Sequence, residues 1–432
     1  MKANRTWGWA NAFAIALVAG IVSGPAVGAD VRAAETAAFE KWADLAVALP
    51  PEIRTRDIAA YSTNHLTFAL NNGLGRTAKG RLWASWIAGG DSCQSFTVAS
   101  YSDDDGDTWS DVALVIDGHG KKPTSDNICG RTNIIGTFWL DPEGSFRIYT
   151  DQSMLHFDGR AGIWESVCAD PDAPVTSWSP ARRLGHGHVL NKPTVRRNGD
   201  WVLPGYLNHA WGGLTASRKG AFAALDGERG ATCYVSADKG RTWEKRGTAR
   251  FPGHDWHESQ YLELKDGTLR VFARVHHDGT GAILVADSKD GGRTWTEPFA
   301  LPSIDNPNAR FQLVRLASGR VLFVSHGRPS AGGKDKQGRD HLTAYLSDDD
   351  GATWRGGLEL FARHASYPDV CQGPDGTVYV THDHDRDGKA EIWFHRFTEE
   401  DILAQRVVSS RGRLNILVSR AMASLVNRKD RK

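Results

Sequence analysis

Four copies of the pattern Ser-x-Asp-x-Gly-x-Thr-Trp, each after a short apolar run, and a composition of 46 Gly and 16 Trp against 3 Met predict an all-β chain. The fold class they indicate is a six-bladed β-propeller with four-stranded antiparallel blades, seven blades being the alternative. The Gly and Trp skew favours turn-rich strands packed by aromatics over helical bundles. With 40% hydrophobic and 24% charged residues among 432, the chain can bury a sizeable core. Lys+Arg 52 against Asp+Glu 51 leaves a formal net charge of +1. Without a diffuse basic field, no nucleic-acid partner is expected.

Taken in order, the chain opens with Lys2 and Arg5 ahead of an apolar run from Ala12 to Val22 and small residues ending Val27-Gly28-Ala29. That is the pattern of a secretory signal, and the run is shorter than the ~20 residues a membrane span needs. The expectation is a leader over 1–29, a lead-in over 30–54, the propeller over 55–402 and a C-terminal tail over 403–432. The mature protein is then secreted or periplasmic, with no transmembrane segment. Cys93, Cys129, Cys168, Cys233 and Cys371 make an odd number, so at least one is not in an intramolecular disulfide.

The boxes begin at Ser102, Ser236, Ser288 and Ser347, after the strand-like runs 96–100, 233–235, 282–286 and 342–346. Each sits where one strand must reverse into the next. Asp accepts bonds from the turn's own N–H groups, Gly takes the left-handed conformation, and Trp packs under the turn. The first gap is about twice the later ones, which calls for a degenerate unit near Val175-Thr176-Ser177-Trp178-Ser179. A further hairpin, Thr377 to Phe397, lacks the motif but alternates like strands. In such rings an N-terminal strand usually completes the last blade.

These boxes resemble the Asp-box, or BNR, repeats of the sialidase superfamily, over about Thr55 to Ile402. The resemblance implies that the boxes lie at the blade periphery and that their Asp residues are not catalytic. His257-Glu258-Ser259-Gln260-Tyr261-Leu262, running to Val271-Phe272-Ala273-Arg274, is similar to the stretch in which a sialidase carries a glutamate and then a triad arginine. Gly338-Arg339-Asp340-His341 resembles the site of a later arginine, and Ser366-Tyr367-Pro368-Asp369 that of the nucleophilic tyrosine. The first triad arginine, set in Arg-Ile-Pro, has no counterpart in Ser62-Thr63-Asn64-His65-Leu66-Thr67. Two arginines, Arg274 and Arg339, still imply an acidic sugar as partner, because planar guanidinium groups grip carboxylates bidentately.

His188 and His209 lie on what read as successive strands of one blade, ahead of the strand bearing Arg274. This arrangement resembles the ulvan-lyase type of propeller, which cleaves rhamnose–glucuronate linkages by β-elimination. In that reading Arg274 and Arg339 neutralise the uronate carboxylate, and His188 or His209, with an unperturbed pKa of about 6.5, takes the C5 proton. The other histidine, or one of Tyr206, Tyr261 and Tyr367, protonates the leaving oxygen. Those lyases place a tyrosine where Glu258 stands, with Tyr261 three residues on. Asn191, Lys192 and Trp211 flank the histidines as candidate substrate-binding residues. The leading expectation is a secreted polysaccharide lyase acting at a uronate. The alternatives are an exo-α-sialidase-like hydrolase with Tyr367 as nucleophile and a non-catalytic glycan-binding propeller. No cofactor is required. His254, His257, His276, His277, His382 and His384, with Asp255, Asp383 and Cys371, are compatible by ligand type with a structural zinc or calcium ion.

Overall fold

Each box closes a hairpin between the third and fourth strands of a sheet. In the first, Asp104 Oδ1 accepts from the Thr108 N–H and from Ser102 Oγ, both at 2.8 Å, and Oδ2 accepts from Thr108 Oγ1 at 2.6 Å. The same Ser–Asp–Thr bonds recur at Asp238, Asp290 and Asp349. Gly106 has φ +87°, and a Cβ there would lie 2.2 Å from Phe394 Cε1 of the neighbouring blade. Both the turn and the blade contact therefore need glycine. The degenerate unit occupies the equivalent corner of its own sheet, where Trp178 packs 6.2 Å from the ring centre of Phe138. In the last sheet a short helix, Glu399–Ala404, takes the place of the box, its Asp401 accepting from the Val408 and Ser409 N–H groups at 2.7 Å.

This computed structural model describes residues 25–119, 130–209, 220–252, 257–277, 280–304, 306–327 and 338–423. They form six antiparallel sheets, blades 1 to 6 in chain order, whose inner strands are Leu70–Arg76, Thr137–Leu140, Thr194–Val195, Gln260–Glu263, Gln312–Arg315 and Ala365–Gln372. Six blades are thus observed, of which four have four strands and two carry a fifth. The expected N-terminal strand in the last blade is not observed. Ile53–Arg54 instead pairs with Leu114–Ile116 at the outer edge of blade 1, and Arg413–Arg420 supplies the outermost strand of blade 6, so the sheets run past Ile402. Side chains close the ring where blades 6 and 1 meet: Asp369 Oδ2 accepts from the Leu74 N–H at 2.6 Å and Asp383 Oδ2 from the Asn71 N–H at 3.1 Å. Between these blades Leu74, Ala84 and Val98 pack on Ile392, Phe394 and Ile416, all buried. A fully buried side chain of the size of Leu, Ile or Phe contributes about 1.5–3 kcal/mol.

Ahead of blade 1, the helix Pro25–Ala43 and a following turn, Leu45–Ala48, pack Ala43 and Ala46 on Met154 of blade 2. Gln152 Nε2 anchors the turn by donating to the Ala46 carbonyl at 2.9 Å. No described helix is long and apolar enough to cross a membrane. Cys93 is disulfide-bonded, whereas Cys168, Cys233 and Cys371 are free thiols.

Blade 6 buries His382 and His395 in a stacked pair, their Nε2 atoms 3.0 Å apart, under the ring of Phe361. His395 Nδ1 accepts from the Asn415 N–H and His382 Nδ1 donates to the Asp383 carbonyl, so one neutral tautomer of each ring satisfies every bond. Burial pushes His382 down to about 3 and His326 to about 4, and drives His395 well below the ordinary histidine range. The folded chain therefore holds fewer protons on these rings than the unfolded chain does below about pH 6.5. Stability should be full above that pH and fall as it is lowered toward about 4, by on the order of 1–2 kcal/mol per ring at pH 5. Calorimetry at pH 7 and pH 5 checks this: Tm should drop, and less so in His395→Phe. Equal Tm values at the two pH values would refute it.

Candidate active site

Two interruptions of regular pairing aim polar side chains into one end of the ring. The register of blade 6 slips between Ser366 and Asp369, and Tyr367, just before Pro368, has φ +55°. Glu258, two residues before the inner strand of blade 4, has φ +39°. Non-glycine residues in this region carry about 1–3 kcal/mol of strain each, so surrounding bonds must hold them. The Tyr367 hydroxyl donates to Glu258 Oε1 at 2.6 Å. Arg274, from the second strand of blade 4, places Nη1 2.8 Å from Glu258 Oε1 and 2.9 Å from the Tyr367 oxygen, and its Nε donates to Asn308 at 2.8 Å.

Two further arginines complete a cluster over the Tyr367 ring. The guanidinium carbons of Arg274, Arg339 and Arg386 lie 6.0, 5.6 and 4.7 Å from its centre. Arg386, in the turn after the second strand of blade 6, pairs with buried Asp383 at 3.2 Å and bonds Ser366 Oγ. Its carbonyl accepts from the Ala69 N–H, which brings that turn against the start of blade 1. No arginine precedes Arg76 on the inner strand of blade 1, and the stretch 62–67 lies ahead of that strand. The cluster's third guanidinium is thus contributed by blade 6. Nη2 of Arg274 and Nη1 of Arg386 have no partner among the described residues. Burial, and next the charge of Arg386, lower the pKa of Arg339.

These groups line a cavity of about 300 Å³ together with Leu70, Ile87, Ile134, Ile135, Phe157, Leu190 and Tyr206, an apolar cluster against which Tyr367 packs. Asp91 stands in the lining on a loop that begins with Gly89 and Gly90, both at positive φ, and passes through disulfide-bonded Cys93. The Cys93 carbonyl is held by His119 Nε2 at 2.8 Å, and Asp91 Oδ1 lies 3.2 Å from His156 Nε2. About half of the Asp91 side chain is solvent-accessible. Confinement in the cavity nonetheless raises its pKa, as does the charge of Glu258, while Arg386 opposes the rise. The pKa of Tyr367 is raised chiefly by burial and next by Glu258, against the three arginines.

Of the residues singled out in the sequence, Glu258, Arg274, Arg339 and Tyr367 converge here. His188 and His209 do not line the cavity. His188 is buried and donates from Nδ1 to Asp151 at 2.6 Å; Asp151 in turn accepts from the Ile134 and Ile135 N–H groups, so this pair supports the apolar wall from behind. His209 is 57% exposed, with Nδ1 3.9 Å from Asp226. Tyr261 is buried in the blade core 5.7 Å from the Trp295 ring, and Lys192 pairs with Asp369 in the pore. Asn191 is buried behind Glu258, whose carbonyl it holds at 2.8 Å. Trp211 lies outside the described residues. The sequence reading missed Asp91 and Arg386. The only local signal for Asp91 was its Gly-Gly-Asp turn, and for Arg386 its place after a strand end. Among the described residues no group of three or more His, Cys, Asp or Glu side chains is arranged to hold a metal ion.

Comparison with known proteins bears on the fold. A Hadza microbial sialidase superposes with a TM-score of 0.59 at 18% identity, over 78% of this chain and 66% of that one. The intramolecular trans-sialidase from Ruminococcus gnavus, solved with oseltamivir carboxylate, gives 0.56 at 14% identity, over 80% and 97%. An ulvan lyase gives 0.40 at 12% identity, over 81% and 87%, too loose a likeness to carry an argument. No curated protein matches the chain. Residues 80–380, more than half of the sequence, match the BNR repeat-like domain, and the chain belongs to that family.

Proposed function

We propose that this propeller is a retaining glycoside hydrolase that releases a terminal sugar acid bearing its carboxylate on the anomeric carbon, as sialic acids do. The observation that carries this reading is the Tyr367–Glu258 couple bridged by Arg274, whose Nη1 lies 2.9 Å from the phenol oxygen. A carboxylate gripped by Arg274 sits within a bond or two of any carbon that the phenol attacks. There a carboxylate nucleophile would be repelled, and a neutral phenol is not.

Burial keeps Tyr367 protonated, so the attack needs a base, and Glu258 takes the phenol proton as the new C–O bond forms. Asp91, its pKa raised, gives its proton to the departing glycosidic oxygen. It then removes a proton from the water that attacks the glycosyl–tyrosine bond, and Glu258 returns its proton to the phenolate. Arg274, Arg339 and Arg386 hold the substrate carboxylate throughout. An acidic poly- or oligosaccharide is the partner, met outside the cytoplasm if the leader over 1–29 directs export. Elimination at a uronate by a histidine base lacks support in the geometry, since the described lining contains no histidine.

The test is to incubate the protein separately with a sialylated oligosaccharide and a glucuronate-containing polysaccharide. Free sugar acid from the first, with no new ultraviolet absorbance from the second, is expected. Absorbance of a C4=C5 double bond would establish the lyase instead. Asp91→Asn gives a finer check on the glycosylation step: kcat/KM should fall ~10²-fold or more on an alkyl glycoside and less than about 10-fold on a nitrophenyl glycoside, whose leaving group needs no proton. Equal losses on both would remove Asp91 from the acid role.

A further inference from the structure

Below the cavity, polar side chains from opposite blades fill the pore. Arg310, fully buried, donates from Nη1 to the Asn72 carbonyl at 2.9 Å and from Nη2 to the Leu190 carbonyl at 2.9 Å and to Asp369 Oδ1 at 3.0 Å. Asp369 also takes the Leu74 N–H and the ammonium of Lys192. At the centre lies Asn191. Its Oδ1 accepts from Arg310 Nε at 3.0 Å, Arg310 Nη2 at 2.8 Å and Gln312 Nε2 at 2.8 Å. Its Nδ2 spends both hydrogens, on the carbonyls of Glu258 at 2.8 Å and Ser259 at 3.1 Å.

We infer that Asn191 is a positioning residue for Glu258: the pore cluster fixes its amide, and the amide holds the Glu258 backbone in the conformation that brings the carboxylate to Tyr367. This rests on the reading of Tyr367 and Glu258 as the reacting couple. An amide has two donor hydrogens and one acceptor oxygen, and here three donors crowd the oxygen while both hydrogens are committed, so nothing remains for a substrate. What the amide grips is the carbonyl of Glu258, a residue at φ +39° that local preference would not maintain, and the carbonyl of the residue that follows. The same cluster holds the other half of the couple, since Asp369 lies two residues beyond Tyr367 on the bulged strand. Buried charges of this kind are costly unless fully bonded, and partial disruption of such a network is felt through all its members.

Asn191→Asp tests this with little change of shape. The aspartate still accepts from Arg310 and Gln312 but turns an oxygen toward the carbonyls of Glu258 and Ser259. We expect kcat to fall ~10²-fold with KM within about 3-fold of wild type. Unchanged kcat, or a raised KM at constant kcat, would overturn the inference; the latter would make Asn191 a substrate contact. If Asn191→Asp fails to fold, Gln312→Leu removes one donor from the same oxygen and should lower kcat ~10-fold, and no loss there overturns it too. If wild-type protein releases no sugar acid, the hydrolase reading fails by itself, and a crystal structure of Asn191→Asp decides the positioning role. A Glu258–Tyr367 separation still at 2.6 Å would refute it.

Discussion

Tyr367→Phe is expected to lower kcat for sugar-acid release by at least ~10³-fold, about 4 kcal/mol of transition-state stabilisation, while the free acid still binds. The substitution deletes one oxygen, the atom assigned to bond formation, and keeps the ring under Arg339 and Arg386. Arg274 and Glu258 remain 2.8 Å apart, so neither charge is stranded and Tm should change little. A fluorinated sugar acid whose glycosyl–enzyme turns over slowly provides the direct check. Mass spectrometry of digested wild-type protein should find one added glycosyl unit on the peptide containing Tyr367, and none in the variant. A variant retaining more than about a tenth of wild-type kcat would show that the phenol is not the nucleophile.

Arg386→Lys should cost ~10²-fold in kcat/KM, about 3 kcal/mol. Lysine preserves a positive charge beside buried Asp383 but cannot offer a planar fork, which is the feature needed to hold a carboxylate together with Arg274 and Arg339. The loss should shrink to below about 5-fold on the methyl ester of the same substrate, where no anion waits to be gripped. Equal loss on acid and ester would assign Arg386 to the fold, through Asp383 and Ser366, and leave the clamp with two arginines.

Asp91 and Arg386 show why part of this site was hidden from a reading along the chain. Glu258, Arg274, Arg339 and Tyr367 were legible because each lies in a short stretch whose local pattern survives without knowledge of the fold. Arg386 reaches Tyr367 within blade 6, where its turn folds back so that the side chain pairs with Asp383 and Ser366 beside the Tyr367 ring, a return that no motif along the chain marks. Asn191 and Lys192 looked like cleft residues beside His188, whereas pairing across the pore with Arg310, Gln312 and Asp369 turned them inward. His188 and His209 were close along the chain, but one went into the blade behind Asp151 and the other to an exposed position near Asp226.

By itself the sequence determined the repeating unit and hence the propeller, because a box is a self-contained turn: its Ser, Asp, Gly and Thr bond to one another within seven residues whatever surrounds them. It also pointed to Glu258 and Tyr367 and to one arginine from each of two blades, all four of which line the cavity. Tertiary structure alone decided which strand completes the last blade, where the third guanidinium comes from and which polar side chains face the cavity rather than the pore. Those outcomes rest on contacts that form only in the folded ring, where a buried charge or amide takes whichever partner comes within about 3 Å, a choice that no spacing along the chain encodes.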